Sequence, residues 1–446
     1  MNTKGRSFSA LLAWAILVCG ALGWQNSTIA TPGTDAAITE GPDAEVKEFR
    51  LNELEARLRT MPPGAERDYF AGVLANRAGQ ISESIRLLKD ALPGIRTTRP
   101  DRAAVALEAL ADDYNKNFDY ADAAQAYDDL LDHFASQLSS EQLQGTKDDA
   151  GVMHILHDAP AQTITWDGPV RLKTERNPIG SINAGLTVNG VREQWLLDTG
   201  ANLSVVSQSF AHRLGLKPLP GASQTTAGVT GIENPLHVAL LPTLQLGGAT
   251  LHNVVVIVLD DANLKVGPGK HAYQINGIVG YPVFQALGAI TFLHNGEFTA
   301  GDKARSSAGT RMYMKLLTPV IECVVEGKSL PFGFDTGASG TDLSVRYYER
   351  FRSESRTWKK AKNKSGGAGG VITRKVYLQP KLKLGIDDKT ATLRRVPIFP
   401  TTMGSVIDEV YGNLGQDVVA DFDNFTLDFS AMSFSLGEPL AVHARR

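Results

Sequence analysis

Cysteine is scarce in this chain, which has only Cys19 and Cys323 among its 446 residues. Cys19 falls in an apolar N-terminal segment that we expect to be removed, so the mature chain would hold one thiol and no intramolecular disulfide. Val18 is bulkier than the residue that normally precedes a lipoprotein cleavage site, which disfavours lipidation of Cys19. Cys323 lies in an apolar strand pattern with no histidine nearby. We therefore predict a buried, inert thiol there rather than a nucleophile.

A strong charge imbalance is also missing. Lysine and arginine number 45 against 48 aspartates and glutamates, for a net charge of -3, and no basic stretch dominates. Nucleic acid and anionic membrane surfaces are therefore poor partners. The nine histidines include no metal-spaced pair, the acidic residues Asp417, Asp421 and Asp423 do not follow an EF-hand ladder, and no Gly-Lys-Ser/Thr follows a glycine run. We expect no metal and no cofactor.

A single long apolar run is present, from Phe8 to Trp24, and it follows Lys4 and Arg6. A basic start, an apolar segment and a small-residue exit are typical of a secretory signal peptide, which we assign to residues 1–30. Export to the periplasm or the exterior follows from this assignment. The alternative is an uncleaved anchor, which would be the chain's membrane tether. Residues 31–45 are rich in small and polar types and are predicted to be a linker.

Residues 46–140 carry apolar and small residues at helical spacing. Two helical pairs are visible, and Ile81, Ser84 and Leu88 of the first align with Tyr120, Ala123 and Tyr127 of the second at a constant offset. This pattern resembles tetratricopeptide repeats, in which the small residue lets the helices pack closely. The resemblance implies a module that binds a peptide or protein partner, and a structural cap or spacer is the alternative. Residues 141–165 are polar and are predicted to be a linker.

The rest of the chain is organised around a duplicated motif, Asp-Thr-Gly-Ala, at 198–201 and at 335–338. Each copy follows an apolar run and a hairpin signal, Asn189-Gly190 or Glu326-Gly327. Further segments recur in the same order, between 135 and 138 residues apart: 244–247 with 382–385, 277–280 with 412–415, and 289–292 with 424–427. A repeat of this length indicates a duplicated lobe rather than a short structural repeat.

These motifs resemble those of the pepsin and retropepsin families of aspartic proteases, over roughly residues 166–440. The resemblance implies a multidomain, mainly β, bilobal protease whose two lobes are closed-barrel-like, preceded by the α-helical, tetratricopeptide-like region. Lobe 1 would span 166–298 and lobe 2 would span 311–446, with a linker at 299–310. Each lobe would supply one catalytic carboxylate, Asp198 or Asp335, so a single chain would form the pair.

The family also implies roles for the residues around each aspartate. Thr199 and Thr336 would hydrogen-bond across the lobe interface, and the loops would be completed by Gly200, Ala201, Gly337 and Ala338. The segments Ile278, Val279, Gly280 and Asn413, Leu414, Gly415 would pack beneath the loops, although Asn413 departs from the apolar residue expected there. Alanine at 201 and 338 provides no hydroxyl to stabilise an ionised aspartate, which implies an activity optimum less acidic than that of the stomach enzymes.

Two small-residue loops are candidate flaps over the substrate. One lies about thirty residues after Asp198 and contains Ala227, Gly228 and Val229, and the other lies at nearly the same offset from Asp335 and contains Gly367, Ala368 and Gly369. The sequence therefore predicts an aspartic endopeptidase that acts on peptides or proteins through a water molecule activated between two aspartates. The alternative is a peptide-binding scaffold with an idle carboxylate pair, whose helical repeats recruit a partner.

Overall fold

The structure, a computed structural model, describes residues 12–14, 41–221, 223–226, 233–267, 272–301, 309–367, 370–402 and 406–441. The predicted signal segment lies outside these residues except for a strand, β1 (Leu12–Trp14), which pairs in parallel with residues 364–366. Most of the predicted linker at 299–310 lies outside them too. No helix in the described ranges is long and apolar enough to cross a bilayer.

The N-terminal part is helical. Its elements are α1 (Pro42–Lys47), α2 (Leu51–Leu58), α3 (Ala65–Arg77), α4 (Ile81–Ile95), α5 (Pro100–Lys116), α6 (Tyr120–Phe134), a 3₁₀ turn (Ala135–Gln137) and α7 (Ser140–Leu156). In the first helix pair, Ser84 of α4 is buried and its hydroxyl donates to the carbonyl of Gly72 in α3, 2.9 Å away. Ala123 is buried at the matching position of α6. Small residues therefore let the paired helices approach closely, as their spacing predicts.

Two predicted linkers are partly wrong. Residues 141–156 of the linker predicted at 141–165 belong to α7, which begins with a capping box between Ser139 and Gln142. The apolar residues of α7 gather in its last two turns, while its first turns bury small and polar side chains, so the sequence shows no continuous apolar stripe. The linker predicted at 31–45 likewise ends in α1, which starts at Pro42, where proline's fixed φ suits a first helical position.

The first repeat, residues 163–300, is mainly β. Its elements are β2 (Thr163–Trp166), β3 (Val170–Arg176), β4 (Ile182–Val188), β5 (Val191–Leu197), β6 (Ser204–Ser207), α8 (Gln208–Arg213), β7 (Ser223–Thr226), β8 (Glu233–Leu246), β9 (Ala249–Leu259), a 3₁₀ turn (Asp261–Leu264), β10 (Lys265–Val266), β11 (Tyr273–Gln274), β12 (Gly277–Val279), α9 (Tyr281–Leu287), β13 (Ala289–Leu293) and β14 (Glu297–Ala300). Asn189 and Gly190 both adopt positive φ in the turn between β4 and β5, as the hairpin signal predicts.

The second repeat, residues 310–436, follows the same order. Its elements are β15 (Thr310–Lys315), β16 (Thr318–Val325), β17 (Lys328–Phe334), β18 (Asp342–Leu343), α10 (Val345–Arg350), α11 (Arg352–Ser355), β19 (Lys359–Gly367), β20 (Gly370–Ile386), β21 (Lys389–Ile398), a 3₁₀ turn (Val406–Glu409), β22 (Gly412–Leu414), β23 (Asn424–Asp428) and β24 (Ser433–Leu436). Glu326 and Gly327 form its positive-φ hairpin turn. Cys323 is fully buried in β16, and burial raises the pKa of its thiol, so the prediction of a buried thiol is confirmed.

A sheet of six antiparallel strands joins the two repeats, in the order β3-β14-β13-β23-β24-β15. At its centre β13 pairs with β23, and these are the segments that the repeat aligns with each other. The hydroxyls of Thr291 and Thr426 lie 2.8 Å apart there, and the rings of Phe292 and Phe425 stack with centroids 4.9 Å apart. The equivalent strands of the duplication therefore meet each other.

The helical region packs on both repeats. Asn52 of α2 donates to Glu322 and accepts from the Tyr313 hydroxyl, and Arg311 pairs with Glu55 at 2.6 Å, all on the second repeat. On the first repeat, the Ser223 hydroxyl of β7 donates to the carbonyl of Asp148 in α7. The helices thus contact both repeats.

Candidate active site

Asp198 directly follows β5, and pairing of β5 with a neighbouring strand fixes the position of its backbone. Strand β12 runs parallel to β5, with Ile278 opposite Leu196 and Val279 opposite Leu197. The Asp198 amide donates to the Val279 carbonyl at 3.1 Å. The Asp198 side chain is completely buried, and one of its oxygens accepts from the Gly200 amide at 2.9 Å. The predicted packing segment 278–280 therefore lies beneath the first aspartate loop.

Asp335 is held in the same way in the second repeat. Strand β22 runs parallel to β17, with Leu414 opposite Phe334, and the Asp335 amide donates to the Leu414 carbonyl at 3.0 Å. Its carboxylate accepts from the amides of Gly337 at 2.7 Å and Ala338 at 3.2 Å. The side chain is 1% exposed. The segment 413–415 packs beneath this loop, as the repeat predicts.

The two loops interlock through their threonines. The Thr199 amide donates to the Thr336 hydroxyl at 3.0 Å, and the Thr336 amide donates to the Thr199 hydroxyl at 3.1 Å. Each hydroxyl then donates onward to the strand of the opposite repeat: Thr336 to the Leu197 carbonyl at 2.8 Å, and Thr199 to the Phe334 carbonyl at 3.4 Å. Buried amides are thereby satisfied across the interface, and the two loops are fixed relative to each other.

The glycines of the two motifs bring the carboxyls together. A Cβ atom placed on Gly200 would lie 2.5 Å from Cγ of Asp335, and one placed on Gly337 would lie 2.4 Å from a carboxyl oxygen of Asp198. No side chain fits at such a separation. Each aspartate therefore rests against the glycine of the opposite repeat, an approach that only a residue without Cβ allows.

The environments of the two carboxyls differ electrostatically. Burial raises the pKa of Asp198 well above its ordinary value, and the charge of the neighbouring Asp335 raises it further. Burial also raises the pKa of Asp335, but hydrogen bonds from Asp198 and from the Asn413 amide oppose that rise. The Asn413 side chain donates to Asp335 Oδ2 at 3.1 Å, whereas its counterpart Ile278 has no donor. Asp335 is thus the more readily ionised member of the pair.

Several residues with a part in the site were missed or misjudged from the sequence. Asn413 stands where the family has an apolar packing residue, yet its side chain donates to a catalytic candidate. Ser204 and Thr341 lie six residues after the two aspartates, and their hydroxyls accept from the amides of Gly280 at 3.1 Å and Gly415 at 3.2 Å. A hydroxyl at the same offset in both copies was a signal available in the sequence.

Gln416 connects the second loop to the first repeat. Its side-chain amide donates to the Thr336 carbonyl at 2.7 Å, and its oxygen accepts from Arg176 at the end of β3. Its backbone amide donates to the Ala338 carbonyl at 2.8 Å. Nothing in the motif spacing points to Gln416, because Arg176 precedes it by 240 residues.

The candidate flaps are only partly described. Ala227, Gly228 and Val229 lie outside the described residues, and so do Ala368 and Gly369. Strands β7 and β8 pair up to the first of these loops, with Thr226 opposite Glu233. Strands β19 and β20 pair up to the second, with Gly367 opposite Gly370. Both candidate flaps are thus carried by hairpins.

One comparison with known proteins covers the first aspartate motif. Residues 184–283, which contain Asp198 and the segment beneath it, match the family model for aspartyl proteases. Among solved structures, the chain is similar to a retropepsin-like aspartic protease from Rickettsia conorii, with 16% identity over 31% of this chain and 92% of that one and a TM-score of 0.20. No curated protein matches. The family match supports aspartic protease activity for this mainly β chain.

Proposed function

We propose that this chain is an aspartic endopeptidase whose catalytic pair consists of Asp198 and Asp335, one from each repeat. The observation that carries the proposal is the reciprocal contact of each carboxyl with the glycine of the opposite motif, locked by the exchange between Thr199 and Thr336. Two buried carboxyls at such range share a proton, because both cannot ionise easily. The two repeats then act as the two lobes of one enzyme, with no need for a second copy of the chain.

The asymmetry of the site assigns the starting roles. Asp335, which receives the Asn413 hydrogen bond, is the ionised member, and Asp198 carries the proton. Asp335 removes a proton from water as the water oxygen attacks the peptide carbonyl, and Asp198 donates its proton to the carbonyl oxygen. The tetrahedral intermediate then returns a proton to Asp198, while Asp335 protonates the leaving nitrogen as the C–N bond breaks. Both aspartates finish as they began.

The hairpins that end near 227 and 368 are proposed to cover a bound peptide. The helical region, with its tetratricopeptide-like spacing, is proposed to hold the repeats in register and to offer a surface for a protein partner. Export through the N-terminal segment is proposed from the sequence pattern. None of these roles is needed for the carboxyl pair to act, so each can fail without the enzyme proposal failing.

The enzyme proposal is tested by cleavage of a mixed peptide library, with and without pepstatin. We expect cleavage by the native protein, inhibition by pepstatin, and a loss of about 10²- to 10⁴-fold in Asp198→Asn and in Asp335→Asn, since each removes an acid or a base. Asp167→Asn, at a site away from the pair, is the matched control. Equal cleavage by all the variants would reject the proposal and favour a peptide-binding scaffold.

A further inference from the structure

A cavity separate from the aspartate pair lies between the helical region and the second repeat. It encloses about 270 Å³, close to the lower limit of about 300 Å³ for small-molecule pockets. We call it the interface cavity and define it by Phe49, Tyr69, Arg77, Glu108, Lys315 and Glu409, which line it. Because its walls come from α3 and α5 on one side and from β15 and the 3₁₀ turn at 406–409 on the other, a ligand there would bridge the two parts of the chain.

Arg77 is a cation in the lining of this cavity. Its side chain is buried, with the residue 5% exposed, and its Nη1 donates to the Asn76 side chain at 3.0 Å. Within the described residues it forms no ion pair, whereas Lys315 pairs with Glu409 at 2.9 Å and Arg102 pairs with Asp43 and Glu66 at 2.7 Å. A buried guanidinium without a carboxylate is costly, so this position suits an anionic group of a ligand.

Glu108 provides the complementary hydrogen-bond acceptor. Its Oε1 is buried and accepts no hydrogen bond, and the same is true of Oε1 of Glu409. Burial raises the pKa of Glu108, while Lys315 and Arg77 oppose that rise from a distance. Arg77 is thus near enough to act on Glu108 but forms no ion pair with it. A cation with several donors between Glu108 and Glu409 would satisfy both oxygens.

Part of the wall is apolar and aromatic, and the rest of the lining is charged: Asp43, Lys47, Glu48, Asp101, Arg102, Arg346 and Asp408. Phe49 and Tyr69 are almost fully buried beside the cavity, and Val46 and Val105 complete this side. A lone inorganic anion or cation has no apolar group that could pack against these side chains. A molecule that carries a carboxylate, an ammonium group and an apolar side chain would use all three features.

We propose that the interface cavity binds a zwitterionic α-amino acid or short unblocked peptide, with its carboxylate on Arg77, its ammonium group at Glu108 and Glu409, and its side chain against Phe49 and Tyr69. This site is independent of the aspartate pair. A ligand held by both the helices and the second repeat would also stabilise their contact. Peptide products of proteolysis belong to the same chemical class, which gives the cavity a natural source of ligand.

The first test needs no variant. Calorimetric titration of the full chain is carried out with leucine, leucyl-leucine, N-acetyl-leucyl-leucine and leucyl-leucine amide. We expect an unblocked probe to bind and each blocked form of the dipeptide to bind about tenfold or more weakly, because each block removes a charge-assisted hydrogen bond. Leucine against leucyl-leucine decides between the amino acid and the peptide. Equal binding of blocked and unblocked forms, or no binding of either unblocked probe, would overturn the proposal.

The second test places the ligand in the cavity. Arg77→Met should abolish the preference for the free carboxylate over the amide, and Glu108→Gln should abolish the preference for the free amine over its acetylated form. Arg59→Met, at a side chain 75% exposed directly after α2, should change neither. Circular dichroism checks the folding of each variant, and the near-isosteric Glu108→Gln retains the test if Arg77→Met unfolds.

Binding must also persist in Asp198→Asn and with pepstatin bound. Loss of binding under either condition would place the ligand at the aspartate pair instead and overturn the proposal. Conversely, an inactive carboxyl pair would leave this binding result unchanged, so the two proposals fail separately.

Discussion

The two aspartate loops have the same sequence, Asp-Thr-Gly-Ala, and nearly the same backbone hydrogen bonds, yet their carboxyls are not equivalent. In both, the aspartate amide donates to a carbonyl of the parallel strand beneath, at 3.1 Å in the first repeat and 3.0 Å in the second. Beneath Asp198 lies Ile278, whereas beneath Asp335 lies Asn413, which donates to the carboxylate. Duplication thus provides a symmetric frame, and one side chain makes the pair electrostatically asymmetric.

The largest effect is expected from substituting the two motif glycines, because in both loops the missing Cβ atom lets the opposite carboxyl approach. Gly200→Ala and Gly337→Ala would each place a methyl group within about 2.5 Å of the opposite carboxyl. The pair must then separate, and a displacement of about 1 Å costs on the order of 100-fold in rate. We expect both variants to lose at least that much in kcat/KM on a peptide substrate.

Gly168→Ala is the matched control, because a Cβ there meets no atom within 4 Å. An active Gly200→Ala together with an inactive Gly337→Ala would show that the loops are less symmetric than their geometry indicates. Full activity in both would mean that the carboxyl pair does not act at this separation.

A smaller effect is expected from breaking the interlock. Thr199→Val or Thr336→Val removes a hydroxyl that both donates and accepts, and leaves a buried amide of the opposite loop unsatisfied. Each should lower the free energy of unfolding by about 1–3 kcal/mol. We expect the greater loss for Thr336, whose hydroxyl donates at 2.8 Å against 3.4 Å for Thr199.

Denaturant unfolding measures both values, and Thr165→Val on the exposed strand β2 is the control. An unchanged free energy of unfolding in both loop variants would show that the hydrogen bonds between Thr199 and Thr336 do not stabilise the fold. A greater loss for Thr199 would reverse the ranking that the two distances give.

The smallest effect is expected at Asn413, the residue that makes the two carboxyls electrostatically different. Asn413→Ile gives the second loop the residue of the first and removes a hydrogen bond that lowers the pKa of Asp335. The ionised form of Asp335 loses a donor, so its pKa rises and the base becomes protonated at higher pH. We therefore expect the acid limb of the pH–rate profile to move upward by about one unit, which corresponds to about 1.4 kcal/mol.

Ile278→Val, a small change at the counterpart position, should leave that limb in place. An unchanged profile in Asn413→Ile would show that the amide does not set the ionisation of the pair. A downward shift would reverse the sign that we derive.

Much of the candidate site could be predicted because the motif is local and occurs twice. Asp198, Thr199, Gly200 and their counterparts adjoin in sequence, and the segments 277–280 and 412–415 recur at matching intervals. The structure brings each of these segments beneath its loop. Hairpin turns at 189–190 and 326–327 were equally predictable, since positive φ at two successive positions demands particular residue types.

What could not be predicted depends on side chains that meet over long separations. Asn413 departs from the apolar residue expected beneath the loop, and its role follows only from its contact with Asp335, 78 residues away in the chain. The helix at 140–156 was missed because the first half of its buried face is small and polar and only its last turns are apolar, and its partner β7 lies well beyond it in the chain. The buried face of such a helix can be recognised only when the element that packs against it is known.

The sequence by itself determined the duplicated aspartate loops, their turns and the order of the recurring segments, because each depends on residues close together in the chain. Only the tertiary structure decided which carboxyl receives an extra donor, how the helices contact both repeats, and that Arg77 and Glu108 face one cavity. Those properties depend on the distances between side chains that are remote in sequence and on their joint burial. Local sequence patterns contain no information on either the distances or the burial.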